Sequence, residues 1–548
     1  MNHRPPAPFW AAPIIWLPLA FLGAFFAYPL VSIFNTGLAG GAQTTLLATL
    51  LDPSVLRITV WTSGQALLSS LMTVLLALPG AAILAQVHFP GKRLAASLIS
   101  VPFVLPTVAV AAAFSTLTSP ETLAGRLVAT IFEPRDTPGL TPIVAAHVFY
   151  NFGLAARIIA SAWENIPSCL PEAAATLGAS GWTRFFRIHL PLLAPALAAA
   201  GILVFALCFS SFGIVLLLGG GRFATIEVAI YNAAVGRLDL AEAASLAILQ
   251  MGVSALLFWA LARLGRTDSP LGSPPSARAW KTLPSWLQGA VLGYSALVLL
   301  GIITPLGALI LESLRIHDQW TLEAYRLLIH APRTSALAAP PLDSLANSLT
   351  YAALAMAIAL PCGVAMALGL RSSRGRWLLE PLCMLPMTTS AATLGLGLLL
   401  ALHTPWWDGR TSIWAIPIAH ALVAFPLVLR SIQPAVDSIP AHLLQGAATL
   451  GATPWTTLCR ITLPLLARPM AIAASFAAAV SIGEFGASLF LVRPNTPTLP
   501  IAIYRTLSLP GSLNHAQAMA LTTIVMLTCT LLGLTAQWLS SSHGPKTT

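Results

Sequence analysis

Charge is scarce in this sequence: only 8% of its 548 residues are Asp, Glu, Lys or Arg. A soluble domain spends about a quarter of its residues on charge, so this chain cannot cover itself with a solvated surface. Lysine is scarcer still, at three residues (Lys92, Lys281, Lys546), and none sits in a G-x-x-x-x-G-K-[ST] phosphate loop. ATP hydrolysis by that route is excluded, and energy for any work must come from a partner or an ion gradient. The six cysteines (Cys169, Cys208, Cys362, Cys383, Cys459, Cys529) are scattered, with no C-x-x-C pair. They read as small apolar residues rather than as a disulfide framework or a zinc site. No triad, paired-carboxylate or metal-spaced cluster stands out for catalysis. The dyad alternation of a membrane β-barrel is absent.

Apolar residues fill the space that charge leaves. They make up 57% of the chain, whose mean hydropathy is +0.81. Many apolar runs reach the ~20 residues that cross a bilayer as a helix, and in lipid the backbone must satisfy its own hydrogen bonds. The expectation is an all-α polytopic membrane protein of about 12 transmembrane helices in two pseudo-symmetric six-helix halves. The spans are placed near 13–34, 58–86, 94–117, 141–162, 193–218 and 240–262, then near 286–311, 346–370, 377–402, 411–431, 469–492 and 515–538. The first run is long for a signal peptide and no A-x-A site follows it, so it reads as a retained span. Residues 1–262 form the first half and 286–548 the second. The Pro-, Ser- and Gly-rich stretch 263–285 between them reads as a cytoplasmic linker.

The net charge of +10 does not point to nucleic acid, because the basic residues are spaced between apolar runs instead of gathered on one face. They set topology. With the N-terminus inside, Lys92, Arg93, Arg184, Arg187, Arg263, Arg266, Arg278, Lys281, Arg371, Arg374, Arg376, Arg460 and Arg468 are cytoplasmic. The opposite loops carry Glu121, Glu133, Asp136, Glu312, Asp318, Glu323 and Asp343. Both termini are expected in the cytoplasm of a cell whose inner membrane holds the chain.

Self-comparison exposes an internal repeat. IPSCLPEAAATLGASGWTRFFRIHLPLLAP from Ile166 matches IPAHLLQGAATLGATPWTTLCRITLPLLAR from Ile439, at a constant shift of 273 (445 − 172). The same shift pairs His147 with His420, Arg157 with Arg430, Phe212-Gly213 with Phe485-Gly486 and Tyr231 with Tyr504. Duplication alone explains matched apolar positions. It does not explain why a polar loop is among the best-matched stretches, since loops drift unless something outside the membrane reads them. Each loop opens with Ile-Pro, runs through small residues and breaks at a glycine, the residue order of a short helix with a sharp exit.

Glu172-Ala173-Ala174, then Gly178, then Ile188-His189-Leu190-Pro191, resembles the EAA loop of ABC importer permeases. That resemblance implies the type I ABC importer permease fold. It also implies a coupling helix that sits in a groove of a separate ATPase, through Glu172, Ala173, Ala174 and Gly178 in one loop and Gln445, Ala447 and Gly451 in the other. The second copy departs from the pattern, because Gln445-Gly446-Ala447 replaces Glu-Ala-Ala. Gln445 hydrogen-bonds but carries no charge, so the two docking sites should differ in strength. Glu172→Ala is therefore expected to uncouple ATP hydrolysis from transport more than Gln445→Ala does. Equal losses in a reconstituted transporter would remove the asymmetry.

The stretch Leu207–Met251, AHVFYNFGLAARII and VSIGEFGASLF resemble the fused permeases that import thiamine and thiamine pyrophosphate, with the fused ferric iron permeases next. The resemblance covers most of the chain. It implies a permease without an ATPase site of its own, ATP used by a partner, two copies of that ATPase, a periplasmic binding protein and a surround of membrane lipid. No cofactor or metal is expected on the chain. Ferric iron import and ion-coupled secondary transport are the alternatives. A membrane enzyme or scaffold that uses the loops only to recruit a partner is another. Glu484 reads as an ionisable residue well inside the eleventh span, where it either steadies a cationic substrate or pairs with a buried polar group. Ser210, Ser211, Asn151 and Tyr231 are further pathway candidates, and such residues also glue helices together. His147 and His420 read as hydrogen-bonded structural residues, and Gly219-Gly220-Gly221 before Arg222 as a mobile external turn.

Overall fold

The computed structural model describes residues 14–38, 48–49, 51–118, 139–221, 223–264, 278–316, 319–330, 340–373, 375–404 and 407–541. Most of the expected linker, together with Glu121, Glu133, Asp136, Arg222, Arg266, Asp318 and Arg374, lies outside these residues.

Among them, ten helices are long and apolar enough to cross a bilayer. They are Trp16–Leu38, Pro53–Gln86, Leu140–Glu164, Gly181–Phe209, Leu240–Leu261, Ser285–Ser313, Asp343–Arg371, Ala415–Ser438, Pro454–Gly483 and Ser512–Ala536. Two bent pairs, Leu94–Val104 with Thr107–Thr118 and Arg376–Thr388 with Ala391–Ala401, raise the count to 12 if each pair is one span. Counted so, the order is the one expected from the apolar runs.

Four of those runs are not continuous helices. The third and ninth spans each turn by 95°. Leu105 takes an extended conformation because the ring of Pro106 disfavours helix at the residue before it. At the ninth span no proline intervenes. Thr389 is extended, and Ser390 Oγ restarts the helix by accepting the Thr393 N–H at 3.0 Å. The fifth span ends at Phe209 and resumes as the short helix Gly213–Leu218, and the eleventh ends at Gly483 and resumes as Gly486–Leu491. Glu484 is thus not within a continuous eleventh span. It stands in the break, in an extended conformation. Hydropathy cannot show these breaks, because the residues on both sides are equally apolar.

Packing divides the described residues into two compact units that do not follow the sequence halves. One draws on Met1–Thr49, Ile230–Ile248 and Ser313–Thr548, the other on Leu50–Ala229 and Leu249–Glu312. In the first unit, the first span lies against the ninth: a Cβ on Gly397 would stand 3.1 Å from side-chain atoms of Ile33 and Pro29. In the second unit, Tyr294 of Ser285–Ser313 donates a hydrogen bond to the Leu76 carbonyl, and Gly80, one turn on, leaves room for its ring. Each unit buries small residues where backbones approach. A Cβ on Gly153 would fall 1.9 Å from the Ile99 carbonyl oxygen, and one on Gly395 would fall 2.8 Å from Ala487 Cα. Lipid offers helices no hydrophobic reason to associate, so such close approach is what holds them.

Candidate functional site

The two matched loops fold alike. The first carries the helix Cys169–Thr176 and the second the helix Ala441–Thr449. Each ends in a left-handed glycine, Gly178 at φ +80° and Gly451 at φ +75°. The carbonyls left over at each helix end are satisfied in the same way. Gly178 N–H bonds to Ala175 O at 3.0 Å and Ala179 N–H to Ala174 O at 2.9 Å. Gly451 N–H bonds to Ala448 O and Ala452 N–H to Ala447 O, both at 3.0 Å. This double bond pattern is a Schellman motif, and it needs a residue without a Cβ at the left-handed position. Ser180 and Thr453 then start the next turn by accepting the N–H of Thr183 and Thr456, each at 3.2 Å.

The geometry pushes apolar groups outward. Leu177 and Leu450 precede the glycines and are 87% and 88% exposed; Trp182 and Trp455 follow them at 74% and 71%. Large apolar side chains are thus presented twice, at repeat-equivalent points of the two loops, which makes these points the candidate docking surface. Glu172 and Gln445 are both exposed, as are Ala173 and Gly178. Ala174 is half-buried and Ala447 buried, so these two are the least accessible of the docking residues the sequence predicts.

The roots of the loops differ, a feature the repeat did not announce. Glu164 and Asp437 are equivalent positions at the ends of the fourth and tenth spans (437 − 164 = 273). Lys92 reaches Glu164 at only 3.8 Å. Asp437 receives both terminal nitrogens of Arg376, at 3.1 and 2.9 Å, while Arg376 Nε donates to Glu380 at 3.0 Å. Arg371 adds two bonds of 2.7 Å to the carbonyls of Val436 and Ile439. A bidentate guanidinium fixes direction as well as distance. The loop that lost its carboxylate is therefore the more firmly held at its base.

A second repeated feature lies at the helix breaks. His147 places Nδ1 3.1 Å from Ser69 Oγ and Nε2 2.9 Å from Ser211 Oγ. His420 places Nδ1 2.7 Å from Ser481 Oγ and Nε2 2.8 Å from Ser488 Oγ. Each imidazole ties its span to the break in the next one, His420 by holding both sides of it. Glu484 accepts the N–H of Ala487 and of Ser488, both at 3.1 Å, and stands 3.6 Å from His420 Nε2. It caps the short helix that follows, in the position Ser211 occupies in the first repeat.

The other pathway candidates separate. Asn151 is buried, donating to the His147 carbonyl at 3.0 Å and reaching Cys208 Sγ at 3.6 Å. Ser210 turns back onto the Ala206 carbonyl at 2.9 Å. Tyr231 stands with the first unit, edge-on to Phe490 with ring centroids 6.0 Å apart. Two charged residues stand outside the repeated pattern: buried Glu227, which accepts from Gln250 Nε2 at 2.9 Å, and Arg505, which follows the repeat-mate of Tyr231. Neither has a charged counterpart at a shift of 273, where Pro500 and Asn232 stand. The repeat therefore could not flag them, and only their charge in an apolar setting could have done so.

The sequence profile described as "Binding-protein-dependent transport system inner membrane component" matches residues 77–312 and 359–542. The chain is 31% identical over 492 residues to the thiamine transport system permease protein ThiP of Escherichia coli (strain K12), covering 87% of each chain. It is 28% identical over 532 residues to ThiP of Brucella abortus (strain 2308), covering 96% of this chain and 95% of that one. With ThiP of Haemophilus influenzae the identity is 27% over 530 residues, covering 94% and 93%. The profile matches twice, each match enclosing one of the exposed loops, so the two-repeat architecture is the type I permease fold, and the chain belongs to the family of inner membrane components of binding-protein-dependent transport systems.

Proposed function

We propose that this permease moves thiamine and its phosphate esters from the periplasm to the cytoplasm. The observation that carries the reading is similarity to thiamine permeases of several genera along nearly the whole chain, not in the loops alone. The partners are a periplasmic binding protein that delivers the ligand and two copies of a cytoplasmic ABC ATPase. One ATPase docks on Glu172, Ala173, Ala174, Leu177 and Gly178, the other on Gln445, Ala447, Leu450 and Gly451. Residues 1–262 and 286–548 are the two permease halves, the stretch 263–285 is a cytoplasmic linker, and both termini are cytoplasmic.

ATP closes the ATPase pair, which moves the coupling helices and switches the pathway from inward- to outward-facing. The drive is the tighter binding of the closed ATPases to one of the two states. Glu484, Ser210, Ser211, Asn151 and Tyr231 belong to the substrate pathway and its walls.

Reconstitution of permease, ATPase and binding protein in liposomes tests this. ATP-dependent thiamine uptake that requires the binding protein is the expected result. Uptake of ferric iron instead, or gradient-driven uptake by the permease alone, overturns it.

A further inference from the structure

The second unit holds a cavity of about 330 Å³ beside the span Ser285–Ser313, near the lower end of the range for ligand-sized sites. Leu84, Phe89, Leu98, Phe152, Val298 and Ile302 line it, and no charged residue does. A bare cation would be desolvated there without compensation, so the cavity does not suit a charged substrate. Gly80 also lines it, and a Cβ at that position would stand 3.1 Å from the Tyr294 hydroxyl and 3.4 Å from the Phe152 ring. The Tyr294 hydroxyl is already engaged by the Leu76 carbonyl. An apolar cavity of this kind does not hold water.

The cavity opens toward lipid. Ser285–Ser313 is the least buried of the ten long apolar helices. Leu299 on that helix and Leu94 on the opposite wall both line the cavity, and both are exposed.

The rim is basic. Val87 and His88 pair in parallel with Arg278 and Ala279, which lays the chain leading into Ser285–Ser313 alongside the cavity residue Phe89. Gln288 Nε2 fixes that chain by donating to the carbonyls of Trp280 at 3.2 Å and Leu283 at 3.0 Å. Residues 86–100 and 278–302 carry Lys92, Arg93, Arg278 and Lys281 and not one Asp or Glu. Lys281 is exposed, and Lys92 meets Glu164 at only 3.8 Å. Trp286, 73% exposed at the start of the span, suits the level of lipid headgroups. Tyr294 follows eight residues on, about 12 Å along the helix. Basic rim, interfacial tryptophan and dry cavity thus succeed one another in the order of a lipid's phosphate, glycerol and tail.

We propose that this cavity takes an acyl chain of an anionic phospholipid, whose phosphate sits at the rim that carries Lys92 and Lys281. The lipid completes the packing of Ser285–Ser313 against the second and third spans, whichever substrate the permease carries. Apolar lining alone would accept any tail. The rim supplies the choice, because clustered Lys and Arg beside membrane helices recognise anionic headgroups. A helix of a second protein does not fit, since one turn of it, about 10 Å across and about 5.4 Å long, already exceeds the cavity.

The test places the full chain with its ATPase in phosphatidylcholine nanodiscs containing a trace of phosphatidylglycerol with a photoreactive diazirine in mid-chain. After illumination the labelled peptides are mapped. Label is expected in residues 80–99 and 294–302, about fivefold above that in Trp16–Leu38, another lipid-facing span. Unlabelled phosphatidylglycerol should compete about tenfold better than added phosphatidylcholine. Ala95→Phe puts a ring into the cavity and should lower the label about fivefold. Lys281→Gln, at an exposed position outside the cavity, should accumulate normally and cut the preference for phosphatidylglycerol to about threefold. This second variant decides the matter even where the phenylalanine variant fails to fold. Even labelling of the cavity peptides and Trp16–Leu38 overturns the site, as does equal competition by the two lipids. An unchanged preference in Lys281→Gln overturns it too, as does detergent or a peptide of another protein recovered there in place of lipid.

Discussion

The double variant Leu177→Asp, Leu450→Asp is expected to lose its ATPase. Each leucine is almost fully exposed, so the substitution removes no contact within the permease and should leave its folding within about 0.5 kcal/mol of wild type. Burial of one leucine against a partner is worth roughly 1.5–3 kcal/mol. Two therefore contribute roughly 3–6 kcal/mol, which is two to four orders of magnitude in Kd. A carboxylate brought to a desolvated groove adds to the loss. Co-purification through a tagged ATPase should fall below detection, and ATP-driven uptake with it, while the permease accumulates normally in the membrane. Retention of the ATPase by the double variant would show that the two loops do not hold it. The single variants are informative because the loops are rooted differently. Leu177→Asp acts on the loop anchored by one loose lysine contact, Leu450→Asp on the loop fixed by Arg371 and Arg376.

The loops are legible in the sequence because their signal is compositional and repeated. Pro-helix-Gly order sets the helix, the left-handed exit and the exposed leucine together, and the constant shift shows that both copies keep it. The number and order of spans are legible because apolar runs are long and their separators polar. What stays hidden depends on hydrogen bonds between residues distant in sequence. His147 and His420 are visible as a matched pair, but their serine partners are not, because they are not matched. Ser481 falls opposite Cys208, and Ser488 opposite Val215. Duplication kept the histidine, and each half found its own hydroxyls. The clamp at the base of the second loop is hidden likewise, since Arg371, which bonds the Val436 and Ile439 carbonyls, and Arg376, which bonds Asp437, lie more than 60 positions upstream. The packing of the first span with the second half's helices cannot be read from the repeat at all, because repeats report ancestry and not adjacency.

Glu484 is where hydropathy and geometry pull in different directions, and substitution at this position separates them. Its carboxylate accepts two backbone N–H groups at the start of Gly486–Leu491 and faces His420. Alanine leaves both N–H groups buried without that acceptor, at about 1–3 kcal/mol each. The short helix then loosens, and Ala487 with it, which packs against Gly395 of the ninth span. Glu484→Ala is therefore expected to reduce the amount of permease in the membrane several-fold. Glutamine keeps one carbonyl oxygen for the cap but loses the second acceptor along with the charge, so Glu484→Gln should accumulate above Glu484→Ala and below the wild type. If the charge also steadies a cation during passage, thiamine uptake in Glu484→Gln, normalised to the amount of permease present, falls about tenfold. That is the expected outcome, because an ionisable side chain at membrane depth is costly where a neutral cap of the same shape would serve. Normal uptake per molecule by the glutamine variant, beside a depleted alanine variant, would leave Glu484 a helix cap alone.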